Sequence, residues 1–196
     1  DGEINEGKNI VGDSGDKRII GNNTPRYNFG LILDGAWKNF DIQIFFQGTM
    51  KRDLWLGGNN GDGHQYWGAS MLWHGIGLDA HKDYFRTADD PMGENLDAFY
   101  ARPIFGNAKN KQPQTRYIEN GAYIRLKNIQ IGYTLPSEWV RKVAISKLRV
   151  FLSAENLWTG TSLSKAFDPE AFSGDQGVGR VYPLQSTISC GLSVNF

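Results

Sequence analysis

The end of the chain carries the feature that most limits its fold, a strict alternation of apolar and polar residues. From Thr187 to Phe196 every even position is apolar and every odd position is small or polar. Because successive side chains of a strand point to opposite faces, this pattern predicts a strand with one apolar and one polar face. A strand that crosses a membrane at a tilt needs about 9–11 such residues. The stretch fits that length, but a single alternating strand is also compatible with a soluble sheet.

Residues 26–50 repeat the alternation twice, which predicts a long hairpin. Residues 26–37 alternate with Ile32 as the exception, and residues 39–50 alternate with Phe45 as the exception. Lys38-Asn39 between them can form a tight turn. Both halves place most of their apolar residues on one face, so the hairpin has the same two-faced character as the final strand.

Two further segments complete the set of strands. Residues 118–135 alternate with a change of parity, which a β-bulge near Lys127-Asn128 would explain. Pro136 follows and predicts the start of a single helical turn. Residues 147–158 then alternate again. Together with the hairpin and the final strand, these segments predict about five strands.

The connections between the strands alternate between short and long. The tight turn and the segment after residue 135 are short, whereas residues 51–117 and 159–183 form long loops at the opposite end. Bacterial outer-membrane barrels have short periplasmic turns and long outer loops. The pattern therefore predicts an all-β fold, an antiparallel transmembrane β-barrel with long extracellular loops. Its predicted parts are an outer loop at 1–25, a hairpin at 26–50, a long outer loop at 51–117, a strand pair at 118–158, an outer loop at 159–183 and the final strand at 184–196.

Two weaker local predictions concern the loops. A short strand is expected around Arg18-Ile19-Ile20, inside the first loop. Helices are expected around residues 65–75 and 79–87, inside loop 51–117. A connection as long as 51–117 is usually either functional or disordered.

Composition excludes several classes of protein. The chain has 21 basic and 21 acidic residues among 196, so it lacks the basic excess of a nucleic-acid-binding protein. Its single cysteine, Cys190, excludes an intrachain disulfide and lies on the apolar face of the final strand. No run of apolar residues approaches the roughly 18 that a membrane-spanning helix needs. The strands of a membrane barrel alternate between apolar and polar residues, so a search for long apolar runs does not detect them.

Several segments resemble one known family, in the order in which that family has them. The clearest are Tyr123–Pro136 (YIRLKNIQIGYTLP), the stretch from Ile145 to Thr159, and Phe167–Glu170 (FDPE). Shorter agreements occur at Ile19–Asn22, Phe45–Gly48, Tyr182-Pro183 and the terminal Phe196. The chain is similar to the SusC/RagA-type TonB-dependent transporters of Bacteroidota outer membranes. Only the loop 51–117 lacks a recognisable match.

The resemblance implies that this sequence is the C-terminal part of a larger barrel. Family members have an N-terminal plug domain and many more strands, and five strands cannot close a barrel. We therefore expect a fragment of a longer transporter, without the plug domain. Asp1–Asn5 is similar to the second half of a calcium-binding loop of the family. Lys8 stands where a distal carboxylate belongs, so no bound metal is expected.

The resemblance also implies a function, nutrient import across the cell outer membrane. Such transporters draw energy through TonB, which acts on the N-terminal part, and pair with a SusD-like surface lipoprotein. Their cargo is most often an oligosaccharide and sometimes a peptide, and no cofactor takes part. Phe196 resembles the terminal aromatic residue that directs barrel assembly. The residues expected to face the lumen, against cargo or in a polar network with the plug, are Asp41, Gln43, Arg149 and Glu155.

Aromatic residues of the long loop are candidate ligand-binding residues. Flat aromatic faces suit stacking on the apolar faces of sugars. The same residues could instead pack the loop or contact the lipoprotein, and the sequence leaves both possibilities open. The candidates are Trp55, Tyr66, Trp67, Trp73 and Tyr100.

Two alternatives to a transporter are weighed against it. A soluble secreted glycan-binding β-sandwich would also show alternation and aromatic residues, and it predicts apolar faces packed together in a dry core. An enzyme is not expected, because acidic residues in a Gly-rich loop are usually just solvated and the histidines show no metal-ligand spacing. The residues concerned are Asp89, Asp90, Glu94, Asp97, His64, His74 and His81.

Overall fold

The computed structural model describes residues 2, 5–55, 79–103, 113–165, 167–171 and 182–196. The strands are β1 (Tyr27–Trp37), β2 (Phe40–Met50), β3 (Asp53–Trp55), β4 (Ile118–Asn120), β5 (Tyr123–Thr134), β6 (Lys147–Thr161) and β7 (Thr187–Asn195). One helical turn, α1 (Ser137–Val140), and 3-10 turns at Asp79–Lys82, Thr115–Tyr117 and Arg141–Val143 complete the regular structure of these ranges. No helix within them is long and apolar enough to cross a membrane.

The large sheet is an antiparallel meander of five strands in the order β1-β2-β5-β6-β7. Residues 38–39 and 135–146 connect strands at one end of the sheet, the short-turn end. Residues 51–122 and 162–186 connect strands at the other end, the long-loop end, where β3 and β4 form a separate two-stranded sheet. The prediction of an all-β antiparallel fold with about five strands is confirmed.

Lys38 and Asn39 form the predicted tight turn. β1 and β2 pair without interruption up to Trp37 opposite Phe40, which leaves a two-residue connection. Lys38 has a φ of 55°, the left-handed conformation that two-residue hairpin loops use because its twist matches that of the strands. The turn fixes the register, and the register decides which residues share a face.

The predicted bulge near Lys127-Asn128 is confirmed. Asn128 pairs with Phe45 while Leu126 pairs with the next residue of β2, so Lys127 is the extra residue on β5. β6 is irregular at the same level, where Asn156 has a φ of 52°. A bulge inserts one residue and thereby reverses the parity of the strand. Both halves of β5 consequently keep their apolar side chains on the same face of the sheet.

The apolar face of the large sheet is exposed in the described part of the chain. Trp37 is 68% exposed, Ile188 69% and Leu192 68%. Within the described ranges no second sheet covers this face, because the small sheet packs its Leu54 against Tyr100 instead. The dry core that the β-sandwich hypothesis requires is therefore absent from these ranges. Other residues exposed on this face are Leu31, Leu33, Phe40, Ile42, Ile131, Val150 and Leu152.

Two local predictions from the sequence are wrong. Arg18-Ile19-Ile20 forms no strand, and Ile19 is 98% exposed. The chain reaches β3 only at Asn22, whose carbonyl accepts the N–H of Asp53 at 2.9 Å. The helix expected at residues 79–87 is only the 3-10 turn Asp79–Lys82. The Asp83 carboxylate then accepts hydrogen bonds from residues far along the chain, which holds the following segment extended. The helix expected at 65–75 lies outside the described residues.

Candidate functional site

The polar face of the large sheet carries a network around Arg149. From β6, Arg149 donates to both carboxylate oxygens of Asp41 on β2, with 2.9 Å between Nε and Oδ1. It also donates to the amide oxygen of Gln130 at 3.2 Å. A Cβ atom at Gly132, on β5 between them, would collide with the guanidinium. Glycine at this position therefore permits an ion pair that spans three strands.

The residues expected to face a lumen all share this polar face. Asp41 and Gln43 lie two positions apart on β2, and Gln43 donates to the carboxylate of Asp34 at 2.9 Å. Glu155 is exposed on β6, at an odd-numbered position like Arg149 before the irregularity of that strand. The structure brings Asp41 and Arg149 into direct contact and places the other two along the same face.

Aromatic residues cluster on the apolar side of the short-turn end. Trp37 ends β1 with the Lys38 ammonium 4.7 Å from its ring centre. Phe40 begins β2 and packs against Tyr133, with 4.7 Å between the ring centres. Phe196 follows β7 in the even-numbered apolar series and is 92% exposed. An amphipathic band of this kind is typical of a boundary between apolar and aqueous surroundings.

A second, smaller hydrophobic cluster, the outer core, lies at the long-loop end. The Tyr100 and Tyr117 rings stack in it with centres 5.8 Å apart. It unites parts of the chain that are far apart in sequence, because its members come from β3, from the segment after Asp79–Lys82, from the turn Thr115–Tyr117 and from the loop after β6. Its buried members are Leu54, Tyr100, Tyr117 and Leu163, with Trp55, Tyr84 and Phe167 packed against them.

The candidate ligand-binding aromatics divide into two groups. Tyr100 is 5% exposed and Trp55 is partly buried, so in this structure both pack into the outer core. Tyr66, Trp67 and Trp73 lie outside the described residues. An aromatic ring that the sequence analysis did not single out, Phe99, is 44% exposed above the outer core.

Four charged residues form a cluster, the latch cluster, whose side chains are buried or partly buried and which the sequence analysis did not identify as a site. Arg125 on β5 pairs with Asp168 at 2.8 Å and with Glu170 at 3.2 Å. Lys127 pairs with Glu170 at 3.0 Å. Arg125 also donates from Nε to the hydroxyl of Thr159 on β6 at 2.7 Å. The side chains of Arg125 and Asp168 are only 4% and 5% exposed.

A sequence signal for the latch cluster does exist. Arg125 and Lys127 belong to the segment Tyr123–Pro136, and Asp168 and Glu170 belong to FDPE. The two cations and the two carboxylates have the same spacing of two residues, which is a complementary pattern. Periodicity alone could not pair them, because 43 residues separate Arg125 from Asp168.

Hydrogen bonds keep the Asp168 carboxylate charged in spite of its burial. Burial by itself would raise the pKa of Asp168, since a charge is less stable away from water. The N–H of Glu170 and the guanidinium of Arg125 donate to Oδ1, and the N–H of Leu184 donates to Oδ2 at 2.9 Å. These donors outweigh burial and lower the pKa of Asp168 below its ordinary value.

Among the residues considered for catalysis, Asp90 and His81 can be examined for their surroundings, whereas His64 and His74 lie outside the described residues. Asp90 accepts hydrogen bonds from the Tyr84 hydroxyl and the Met92 N–H. His81 is 5% exposed, and burial lowers its pKa, which favours the neutral imidazole. Within the ranges that the structure describes, no group of three metal-ligating side chains comes together.

The N-terminal loop uses its oxygen atoms for internal contacts. The Lys17 ammonium lies 3.0 Å from the Glu6 carboxylate and 3.3 Å from the amide oxygen of Asn9. The Asp16 carboxylate accepts the N–H of Asn5 at 2.8 Å. An internal cation thus already neutralises part of the loop that resembles a calcium site.

The five-stranded antiparallel sheet, with one exposed apolar face and one polar face, has the architecture of a segment of a transmembrane β-barrel wall. Solved structures agree with this assignment. The chain is 25% identical to structures of the RagAB peptide importer in the open-open and closed-closed states, with TM-scores of 0.61 and 0.65. Each match covers 91% of this chain and 18% of the neighbour.

Curated proteins give the same result. The chain is 30% identical over 191 residues to TonB-dependent receptor P3 of Formosa agariphila, and 26% identical over 192 residues to TonB-dependent receptor P26 of that species. These matches cover 92% of this chain but 17% and 18% of the relatives, so the chain spans less than a fifth of their length. No family profile matches the chain. The resemblance to SusC/RagA-type TonB-dependent transporters is confirmed, and these relatives are receptors and an importer, not enzymes.

Proposed function

We propose that this chain forms part of the barrel wall of an outer-membrane transporter that imports nutrients with energy from TonB. The observation that carries the proposal is the exposed apolar face of the five-stranded sheet. A contiguous apolar surface of this kind is rare in soluble monomers and needs a partner or a lipid phase. The opposite face is polar, as the wall of an aqueous lumen requires.

The dimensions of the apolar face support a lipid partner. Tyr27 and Trp37 lie ten residues apart on β1. At about 3.3 Å per residue they are about 33 Å apart along the strand, and a tilt of about 40° leaves about 25 Å along the membrane normal. That height equals the apolar band of outer-membrane barrels, about 25 Å, which aromatic residues flank at both interfaces. The aromatic residues Trp37, Phe40, Tyr133 and Phe196 would then lie at the periplasmic interface.

The polar face would line the lumen. Asp41 and Arg149 neutralise each other across three strands, and Gln43 and Glu155 add polar groups further along the same face. We propose that this face contacts a plug or the cargo path. We retain the proposal that Phe196 directs barrel assembly, which its exposed position after β7 supports.

The proposals for cargo and partner are supported by the proteins to which this chain is similar. RagAB is a peptide importer by name, so a peptide is a cargo to test beside an oligosaccharide. A SusD-like surface lipoprotein is the proposed partner at the long-loop end. Tyr66, Trp67 and Trp73 remain proposed ligand contacts, whereas the burial of Tyr100 and Trp55 favours packing roles for these two.

Membrane fractionation tests the proposal. The receptor that carries this sequence is expressed with an epitope tag, and the membranes are separated by density and washed with carbonate. We expect the protein in the outer-membrane fraction, resistant to the wash, and uptake of labelled oligosaccharide or peptide that stops when TonB is deleted. Recovery in the periplasm or the medium would contradict the membrane location, and uptake that persists without TonB would contradict the energy source.

A further inference from the structure

The segment after β6 crosses the polar side of the sheet and does not simply extend away from it. We call residues 162–171, apart from Ala166, the strap. Leu163 of the strap is buried in the outer core, and Asp168 contacts Arg125 of β5. Arg125 stands directly opposite Gln47 and Thr159, so it lies on the face that also carries Asp41. The strap therefore lies over the polar face at the long-loop end.

The latch cluster holds the strap by charges that neutralise one another. Arg125 and Lys127 from the sheet face Asp168 and Glu170 from the strap, so the net charge of the cluster is zero. The side chains of Glu170 and Lys127 are only 17% and 23% exposed. Removal of one partner from such a buried pair leaves the other charge buried without a counter-charge, which is strongly destabilising. Exposed ion pairs, by contrast, contribute little to stability. A cluster with its charges already paired is suited to hold the strap and not to bind an ion.

Asp168 also fastens the far end of the same connection. Its second oxygen accepts the N–H of Leu184, shortly before β7. Beside it, Asn156 of β6 donates to the carbonyl of Gln185 at 3.1 Å, and the hydroxyl of Ser186 donates back to Asn156 at 2.8 Å. Both described ends of the β6–β7 connection are thus tied to the sheet at one place.

We propose that the latch cluster makes the strap a fixed part of the lumen wall, with Arg125 as the central positioning residue. The inference rests on the proposed function where it takes the polar face to line a lumen. That the strap is held in place rests on the contacts described above. Cargo that enters at the long-loop end would pass a wall of constant shape at the strap. Movement during import would then occur elsewhere in the loops.

Hydrogen exchange of the receptor in lipid nanodiscs tests this inference. Asp168→Asn removes the charge but can keep a hydrogen bond to a backbone N–H, and Arg125→Met removes the central cation. We expect each to accelerate exchange in the strap and at Leu184 by at least about tenfold, while residues 147–153 of β6 stay protected. Glu170→Gln, at a more exposed member of the cluster, is the milder variant and should accelerate the strap less. Arg125→Lys retains the cation and should restore part of the protection.

Asp79→Asn is the matched control. Asp79 pairs with Lys82 at the surface, with side chains 94% and 70% exposed, so loss of its charge should leave the strap unchanged. The proposal would be overturned if hydrogen exchange of the strap were unaltered in Asp168→Asn, Arg125→Met and Glu170→Gln. It would also be overturned if these variants accelerated exchange in the strap and in β6 equally. Membrane location is scored separately by fractionation. A receptor with a protected strap outside the outer membrane would refute the proposed function and leave the fixation intact.

Discussion

A charge placed on the apolar face should destabilise the protein much more than the same charge placed on the polar face one residue away. Leu33 and Ile32 offer this comparison, because both are aliphatic, both are exposed (48% and 59%), and they lie on opposite faces of β1. Leu33 is four residues from Trp37, which places it about 10 Å above the aromatic band at a strand rise of about 3.3 Å and a tilt of about 40°. This depth lies close to the middle of a band about 25 Å tall.

An arginine at the bilayer midplane of a barrel costs about 2–4 kcal/mol. We therefore expect Leu33→Arg to reduce the equilibrium constant for folding into lipid vesicles by a factor of about 30 to 700, since about 1.4 kcal/mol corresponds to a factor of ten. Ile32→Arg should cost less than about 1 kcal/mol, because its side chain can extend into the aqueous lumen. The free energies follow from urea titrations monitored by tryptophan fluorescence. Equal costs at both positions, or the larger cost at Ile32, would refute the assignment of the faces.

Three further predictions concern single contacts. Gly132→Ala should displace the guanidinium of Arg149 from Asp41 and lower the free energy of unfolding by about 1 kcal/mol in urea titrations. This loss should disappear in an Arg149→Ala background, and a loss that persists there would show another cause. The folded protein lowers the pKa of Asp168, so the carboxylate stabilises the strap at pH values above the ordinary carboxyl pKa, and this stabilisation is lost in acid. Hydrogen exchange of the strap, corrected for intrinsic rates, should therefore stay constant between about pH 5 and 8 and accelerate below about pH 4. Lys38→Gly should stabilise the hairpin by about 0.5–1 kcal/mol by relieving the left-handed backbone, and a loss of stability would argue against this turn conformation.

The sequence predicts the large sheet well because local rules set its strands. Alternation with a period of two identifies β1, β2, β6 and β7, and the parity change at Lys127-Asn128 locates the bulge. The turn at Lys38-Asn39 then fixes the register of the hairpin. Each of these features depends on residues close together in the chain, where stereochemistry leaves few alternatives.

The long-loop end was much less predictable because its contacts join distant segments. The sequence makes Tyr100 a candidate ligand contact, but its burial depends on Leu54, Tyr117 and Leu163, which no periodicity brings together. The charges of the latch cluster were visible in two recognised segments, yet their pairing depends on the path of the strap. The strand expected at Arg18-Ile19-Ile20 does not form. Its residues favour a strand locally, but local propensity cannot supply a neighbouring strand to pair with.

The most direct test of the central claim is the lipid exposure of Cys190. It is the single cysteine of this chain, it is exposed, and it lies on the apolar face of β7. In the receptor reconstituted in lipid vesicles, with any cysteine outside this chain replaced by alanine, a spin label at Cys190 is compared with a label at Ser189→Cys in a Cys190→Ala background. We predict that the Cys190 label collides readily with oxygen and poorly with a water-soluble nickel chelate, and that the label at residue 189 is less accessible to oxygen. A Cys190 label that is accessible to the nickel chelate, or shielded from oxygen, would contradict the account.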